Sequence, residues 1–85
     1  MSITVFVPDI PEFSPLVRAA EGIHGCVVHA PQNGYWRLEA KRELVFLRKK
    51  LGLGPALWNS ALSGGFRGRI VEYGRDEIRI EGDEQ

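Results

Sequence analysis

The chain has 85 residues, of which 44% are hydrophobic and 26% charged, and its formal net charge at pH 7 is zero. One small domain spanning residues 1–85 is expected, and its limited core disfavours a self-contained enzyme. A neutral domain also disfavours nucleic-acid binding. Cys26 is the only cysteine, which excludes an intrachain disulfide, and no apolar run approaches the ~18 residues of a membrane-spanning helix. We expect a soluble protein of the reducing cytoplasm that is a monomer when free.

The first third of the chain predicts a strand followed by a helix. Residues 3–7 are apolar and rich in β-branched side chains, which favours a central strand buried on both faces. Ser14 before Pro15 predicts a helix start, with the serine as N-cap and the proline at the first helical position. The following apolar residues recur at helical spacing: Leu16, Val17, Ala19, Ala20 and Ile23.

Two strands joined by a tight turn come next. Residues 26–30 and 35–40 have strand character, and the pair Asn33 and Gly34 is a strong hairpin signal. Alternation along the later strand places Trp36, Leu38 and Ala40 on one face. That face is expected to be buried, with the opposite face in water.

Residues 40–51 fit two structures. A helical stripe is formed by Ala40, Leu44, Leu47 and Leu51, yet residues 44–47 could equally be a buried strand. The pattern alone slightly favours a helix. Glycines and a proline then interrupt the chain, and residues 56–62 predict another short helix beginning at Pro55.

Residues 63–68 (SGGFRG), which we call the elbow, join this helix to a final hairpin. Its glycines permit positive φ angles and close backbone approach to another surface, whereas phenylalanine and arginine are common in binding hot spots. The elbow and the arginine that follows it are therefore the predicted partner-binding site, consisting of Ser63, Gly64, Gly65, Phe66, Arg67 and Arg69.

The final hairpin is predicted from two strands, residues 69–73 and 77–81, around a turn at 74–76. Together the segments predict a small α+β domain with an antiparallel sheet and two to three short helices. The expected element order is βαββ(β)ααββ.

Charge is unevenly distributed along the chain. Between Arg37 and Lys50 the balance is +4, whereas from Glu72 to Gln85 it is −4. Ordinary solvation of a small domain explains this distribution. The alternative is electrostatic steering onto an acidic partner, with Arg37, Arg48, Lys49 and Arg67 as candidates.

No constellation typical of catalysis or cofactor binding is found. His24, Cys26 and His29 are near each other in sequence, but Cys26 and His29 would point to opposite faces of a strand. Cys26 is better explained as a small core residue than as a nucleophile. The elbow is not a phosphate loop, because it follows a helix and opens a strand. No catalytic, cofactor or metal residue is predicted.

The order of elements in the C-terminal half carries a resemblance. An apolar helix, a small-residue turn, a Gly-Arg pair and a glycine-turned hairpin follow one another at Leu62, Ser63, Gly68, Arg69, Gly74, Ile78 and Ile80. Upstream, residues 35–40 and then 43–46 with Arg48 form a similar strand-turn-strand unit. From about residue 35 to 81 the chain resembles the coupling (effector) proteins of soluble diiron monooxygenases, the family of methane monooxygenase component B and of the phenol and toluene hydroxylase effectors.

The resemblance implies a regulatory protein without a cofactor of its own. Such a protein binds the hydroxylase component and adjusts access of substrate, oxygen and electrons to the diiron centre; the shorter branches, which serve phenol or alkene oxidation, are the nearer likeness. The resemblance also implies a turn at Lys41 and Arg42, a strand at 43–47 and a short helix at 48–51, and we follow it for this segment. Relatives often carry small hydroxyl residues where this chain has Gly64 and Gly65.

Two other readings remain open. Asp9, Ile10 and Pro11 before Phe13 and a helix resemble the loop of the amino-acid-binding ACT domain, although Glu12 stands where that family usually needs glycine. A small-molecule-binding ACT-like regulatory domain is therefore the alternative function. The third reading is an interaction domain unrelated to any oxygenase.

Overall fold

The structure, a computed structural model, describes residues 2–82 and contains seven strands and three α-helices within that range. A 3-10 turn, Pro11–Phe13, precedes the first α-helix. In chain order the elements are β1 Ile3–Pro8, α1 Ser14–Glu21, β2 Val27–Gln32, β3 Tyr35–Ala40, β4 Glu43–Leu47, α2 Arg48–Leu51, α3 Pro55–Asn59, β5 Phe66–Arg67, β6 Arg69–Tyr73 and β7 Glu77–Glu81. The α+β class is confirmed.

The strands form two antiparallel sheets rather than one. The first sheet has the order β2-β3-β1-β5 and the second has the order β4-β7-β6. β1 is central, as predicted, but its burial on both faces was wrong. Ile3, Val5 and Val7 face the core, whereas Phe6 on the other face is 37% exposed. The helices and the second sheet supply the core on one side of β1 only.

The β2–β3 hairpin is confirmed. Asn33 and Gly34 have φ angles of 54° and 84°, which are typical of the two-residue turn that suits the twist of paired strands. Leu38 and Ala40 are buried and Trp36 packs against the core, whereas Tyr35 and Arg37 on the other face are exposed.

Residues 43–47 are a strand, so the helix favoured by the pattern alone was wrong. Leu44 lies opposite Ile80 and Phe46 lies opposite Ile78, and all four side chains are buried. This pairing with a distant strand overrides the local helical preference. The helix begins only at Arg48 and ends at Leu51, and the next residue, Gly52, has a left-handed φ of 68°.

Two helix boundaries differ from prediction. Ser14 lies within α1 and its side chain makes no capping bond, because the 3-10 turn continues directly into the helix. Within that turn the backbone N–H groups of Phe13 and Ser14 donate to the carbonyls of Ile10 and Pro11. α3 ends at Asn59 instead of residue 62, and hydrogen-bonded turns continue the chain towards the elbow.

One core joins the helices to both sheets. Its largest fully buried side chain is Trp58 of α3, whose indole N–H donates to the Gly74 carbonyl at 2.8 Å. Among the described residues no polar side chain is fully buried. None of the helices between residues 2 and 82 is long and apolar enough to cross a membrane.

Candidate partner-binding surface

The elbow lies against the first sheet and ends as a short strand. The Phe6 N–H donates to the Gly65 carbonyl at 2.9 Å, and the ladder continues with Phe66 opposite Val5 and Arg67 opposite Thr4. Two residues are too few to show a strand period, and the partner strand is at the other end of the chain. Sequence reasoning therefore missed β5.

Gly64 makes its close approach within the chain. A Cβ atom at this position would stand 2.4 Å from the Phe6 carbonyl oxygen and 2.9 Å from Cε1 of Tyr35. Both distances are shorter than a side chain can tolerate. Because Gly64 has no side chain, the elbow can pack directly against β1 and the Tyr35 ring.

Gly68 forms the corner at which the chain leaves the first sheet and enters the second. Its φ is 134°, and a Cβ there would be 2.8 Å from Cγ2 of Ile80 and 3.4 Å from Cγ1 of Ile3. Strands that pass between two packed sheets turn through bends of this kind. The corner therefore requires glycine both for its backbone angle and for lack of space.

The predicted site has four side chains besides its two glycines, and they do not converge. Arg67 shares a face with Thr4, whereas Phe66 shares the opposite face with Val5 and is 39% exposed at its margin. Arg69 forms an ion pair with Glu81 at 2.8 Å on the second sheet. The Ser63 hydroxyl donates locally to the Ser60 carbonyl.

Arg67 belongs to a larger surface, which we call the outer face of the first sheet. Directly opposite residues in the ladder share a face, so the register defines its members: Thr4, Phe6, Pro8, Val27, His29, Gln32, Tyr35, Arg37, Glu39 and Arg67. Three of them are large exposed apolar side chains, Phe6, Val27 and Tyr35. Because β1 is a continuous apolar run, its sequence did not predict that Phe6 is exposed. The alternation in β3 did predict that Tyr35 lies on the exposed face.

The charges of the outer face are mainly basic. Glu39 accepts from His29 at 2.5 Å and lies 3.9 Å from the guanidinium of Arg37. Arg67 adds a further cation at the elbow. Of the predicted steering residues, Arg48 is engaged elsewhere, because it pairs with Asp76 at 3.2 Å and donates to the Arg75 carbonyl.

Cys26 is half-buried beside the core. Burial raises the pKa of its thiol, and a hydrogen bond from the Glu39 backbone lowers it only in part. A nucleophilic cysteine needs the opposite shift. Across residues 2–82, no three metal-ligating side chains are grouped as a site.

A separate cleft of about 540 Å³ opens between α1 and the segment that follows β1. The Trp36 indole N–H donates to Oδ1 of Asp9 at 3.0 Å and fixes this carboxylate at the cleft. The full lining is Asp9, Ile10, Pro11, Ser14, Val17, Arg18, Glu21 and Trp36.

Comparison with known proteins finds that no family model matches this chain and that no curated protein matches it either.

Proposed function

We propose that this chain is a cofactor-free coupling protein that binds the hydroxylase component of a multicomponent diiron monooxygenase. In this role it regulates the access of substrate, oxygen and electrons to the hydroxylase. The proposed setting is cytoplasmic catabolism of an aromatic or alkene hydrocarbon.

One observation carries the proposal: the elbow pairs with β1 and presents Arg67 on the same face of the sheet as the exposed ring of Phe6. Aromatic and arginine side chains are the types that most often dominate binding energy. The Phe6 N–H···O=C Gly65 bond and the tight fit at Gly64 hold this arrangement before a partner arrives. Preorganisation lowers the entropy lost on binding.

The strand at 43–47 gives independent support. The residue pattern favoured a helix there, whereas resemblance to the coupling proteins favoured a strand, and β4 is a strand. The resemblance was therefore a better guide to this segment than periodicity was.

The protein would act by binding one state of the hydroxylase more tightly than another. The shift it produces in the hydroxylase cannot exceed the difference between those two binding free energies. A rigid sheet with a fixed row of side chains suits this task, because little of the interaction energy is lost in ordering it.

The direct test is titration of the protein into a purified diiron hydroxylase and its reductase from the same source, with binding and substrate turnover measured together. Tyr35→Ala is expected to weaken binding by about 2 kcal/mol, roughly thirtyfold in Kd, if the ring is a buried anchor. Arg67→Ala should slow association and reduce its salt dependence.

Arg75→Ala is the matched control for Arg67→Ala, since Arg75 is an exposed arginine in the β6–β7 turn. It should leave binding unchanged. Thermal melts of every variant separate a lost contact from a lost fold. Absence of binding and of any effect on turnover by the unmodified protein would rule out the proposal.

A second candidate, the ACT-like small-molecule regulator, is favoured by the cleft beside α1. Its volume is within the usual range for ligand pockets. Asp9 and Glu21 offer carboxylates for an amine, Arg18 offers a guanidinium for a carboxylate, and Trp36 and Val17 form an apolar wall. Calorimetric titration with the amino acids, repeated on Asp9→Asn, tests it. No heat of binding for any amino acid would eliminate this candidate.

A further inference from the structure

The two sheets have four edge strands, and among the described strands β6 is the one of five or more residues in which every residue is exposed. β5 is two residues long, and β2 contains Pro31, which cannot donate a backbone hydrogen bond. In β4 the side chains of Leu44 and Phe46 are buried in the core. By contrast, all five residues of β6 are exposed, without proline or lysine. Natural proteins usually block such an edge, because its unpaired N–H and C=O groups are a template for another strand.

The register of β6 divides its side chains between the two faces of the sheet. Arg69 lies opposite Glu81 and Glu72 opposite Arg79, on the solvent side. Ile70 lies opposite the buried Ile80, on the core side. Val71 has no opposite residue in β7, so the strand has one extra residue there. In ladder steps, Arg69 and Glu72 are therefore equally far from Ile70.

This spacing makes β6 complementary to itself. We propose that β6 pairs antiparallel with β6 of a second copy of this chain, around a two-fold axis at Ile70. The axis places Arg69 opposite Glu72 of the partner subunit, and the same pair occurs again on the other side. Contacts that repeat in this way define a symmetric dimer interface.

Apolar and backbone groups complete the proposed interface. Ile70 is 39% exposed and would lie beside Ile70 of the partner subunit, covered on its free side. Val71 and Tyr73 are exposed next to it. Pairing also satisfies the free edge of β6 with main-chain hydrogen bonds. The proposal replaces the monomer expected from the sequence with a reversible dimer.

The experiment is sedimentation of the full chain over a range of concentrations, for the unmodified protein and for Ile70→Lys and Ile70→Glu. On a two-fold axis each substitution places like charges opposite each other. We expect each variant alone to dimerise about tenfold more weakly or worse. An equimolar mixture of the two variants should recover association, since opposite charges then face each other.

Val27→Lys is the control, because Val27 is an exposed β-branched residue on β2, another sheet edge. It should leave the dimer unchanged. Thermal melts show whether the Ile70 variants keep the fold. A protein that stays monomeric at every concentration would overturn the proposal. The β6 edge would then be available only to a strand from a different protein. Equal weakening by Val27→Lys, or failure of the mixture to associate better than either variant, would overturn it as well.

Discussion

The β2–β3 turn and the β5–β6 corner both depend on a glycine with positive φ, but they use it differently. A Cβ added to Gly34 would meet nothing within 4 Å. A Cβ added to Gly68 would overlap Ile80 and lie 3.3 Å from the Glu81 carbonyl oxygen. The turn needs glycine for its backbone angle alone, whereas the corner also needs the empty space.

This difference separates local from long-range determinants of the fold. The turn connects two strands that are adjacent in sequence, and its residues specify it by themselves. The corner connects two sheets, and the atoms that exclude a side chain at Gly68 come from β1 and β7. Corner residues should therefore be more sensitive to substitution than turn residues of the same type.

The largest effect is expected at Gly68. Gly68→Ala combines the strain of a positive φ, ~1–2 kcal/mol, with overpacking of ~1–3 kcal/mol. We therefore expect the free energy of unfolding to fall by about 3 kcal/mol. Gly34→Ala has only the strain and should lose about 1 kcal/mol. Chemical denaturation of both variants measures the two losses. Similar losses of unfolding free energy at Gly68 and Gly34 would show that the lack of space at Gly68 adds no further cost.

A second pair of variants compares, within the elbow, the cost of a steric clash with the cost of an unfavourable backbone angle. Gly64 has no room for a Cβ, whereas Gly65 has a φ of 105° and only a ring carbon of Phe6 at 3.8 Å. Gly64→Ala should cost about 2–3 kcal/mol, because the obstacle is the Phe6 carbonyl and cannot rotate away. Gly65→Ala should cost about 1–2 kcal/mol.

Hydrogen exchange provides the local measurement for this pair. The Phe6 amide donates to the Gly65 carbonyl, so Gly64→Ala should speed its exchange as the elbow moves off β1. Exchange in the β4–β7 ladder is the internal control and should follow global stability alone. Unchanged protection at Phe6 would show that the elbow accommodates a methyl group without leaving the sheet.

Sequence reasoning succeeded where structure is set by neighbours in the chain. The Asn33 and Gly34 turn and the alternation in β3 and β7 were predicted, and these segments form as expected. Reasoning from residue patterns alone failed where distant residues decide. β5 exists because β1 pairs with it, and β4 is a strand because Ile78 and Ile80 face it.

The candidate surface was only partly predictable for the same reason. The elbow could be identified from its composition, but its direction relative to β1 could not. Phe6, which shares a face with Arg67, belongs to an apolar run that suggested burial on both faces. A short apolar run has no period that distinguishes its two sides.

Tyrosines near the two connections allow a finer comparison. The Tyr73 hydroxyl, at the end of β6, donates a hydrogen bond shared between the carbonyls of Trp58 at 3.1 Å and Asn59 at 2.9 Å. Tyr35 immediately follows the β2–β3 turn, and its hydroxyl has no hydrogen bond to any residue in the range 2–82. Tyr73→Phe should therefore cost about 1 kcal/mol, against less than about 0.5 kcal/mol for Tyr35→Phe. Equal losses of unfolding free energy, measured by denaturation, would show that the hydrogen bonds between Tyr73 and α3 do not stabilise the fold.

The smallest effect concerns the same hydroxyl at alkaline pH. Desolvation raises the pKa of Tyr73, and a hydrogen bond from the Leu62 backbone lowers it in part. The folded state therefore holds this proton more tightly than the unfolded chain, in which tyrosine titrates near pH ~10. The stability associated with the raised pKa is complete below that value and is lost as pH rises through the folded-state pKa. The measurement is a difference between variants, which isolates the contribution of Tyr73. Between about pH 9 and 11, the melting temperature of the unmodified protein should fall more steeply than that of Tyr73→Phe. Tyr35→Phe should follow the unmodified protein. Parallel curves for all three proteins would mean that the proton of Tyr73 is held no more tightly in the folded state, and that its contacts with α3 act through packing alone.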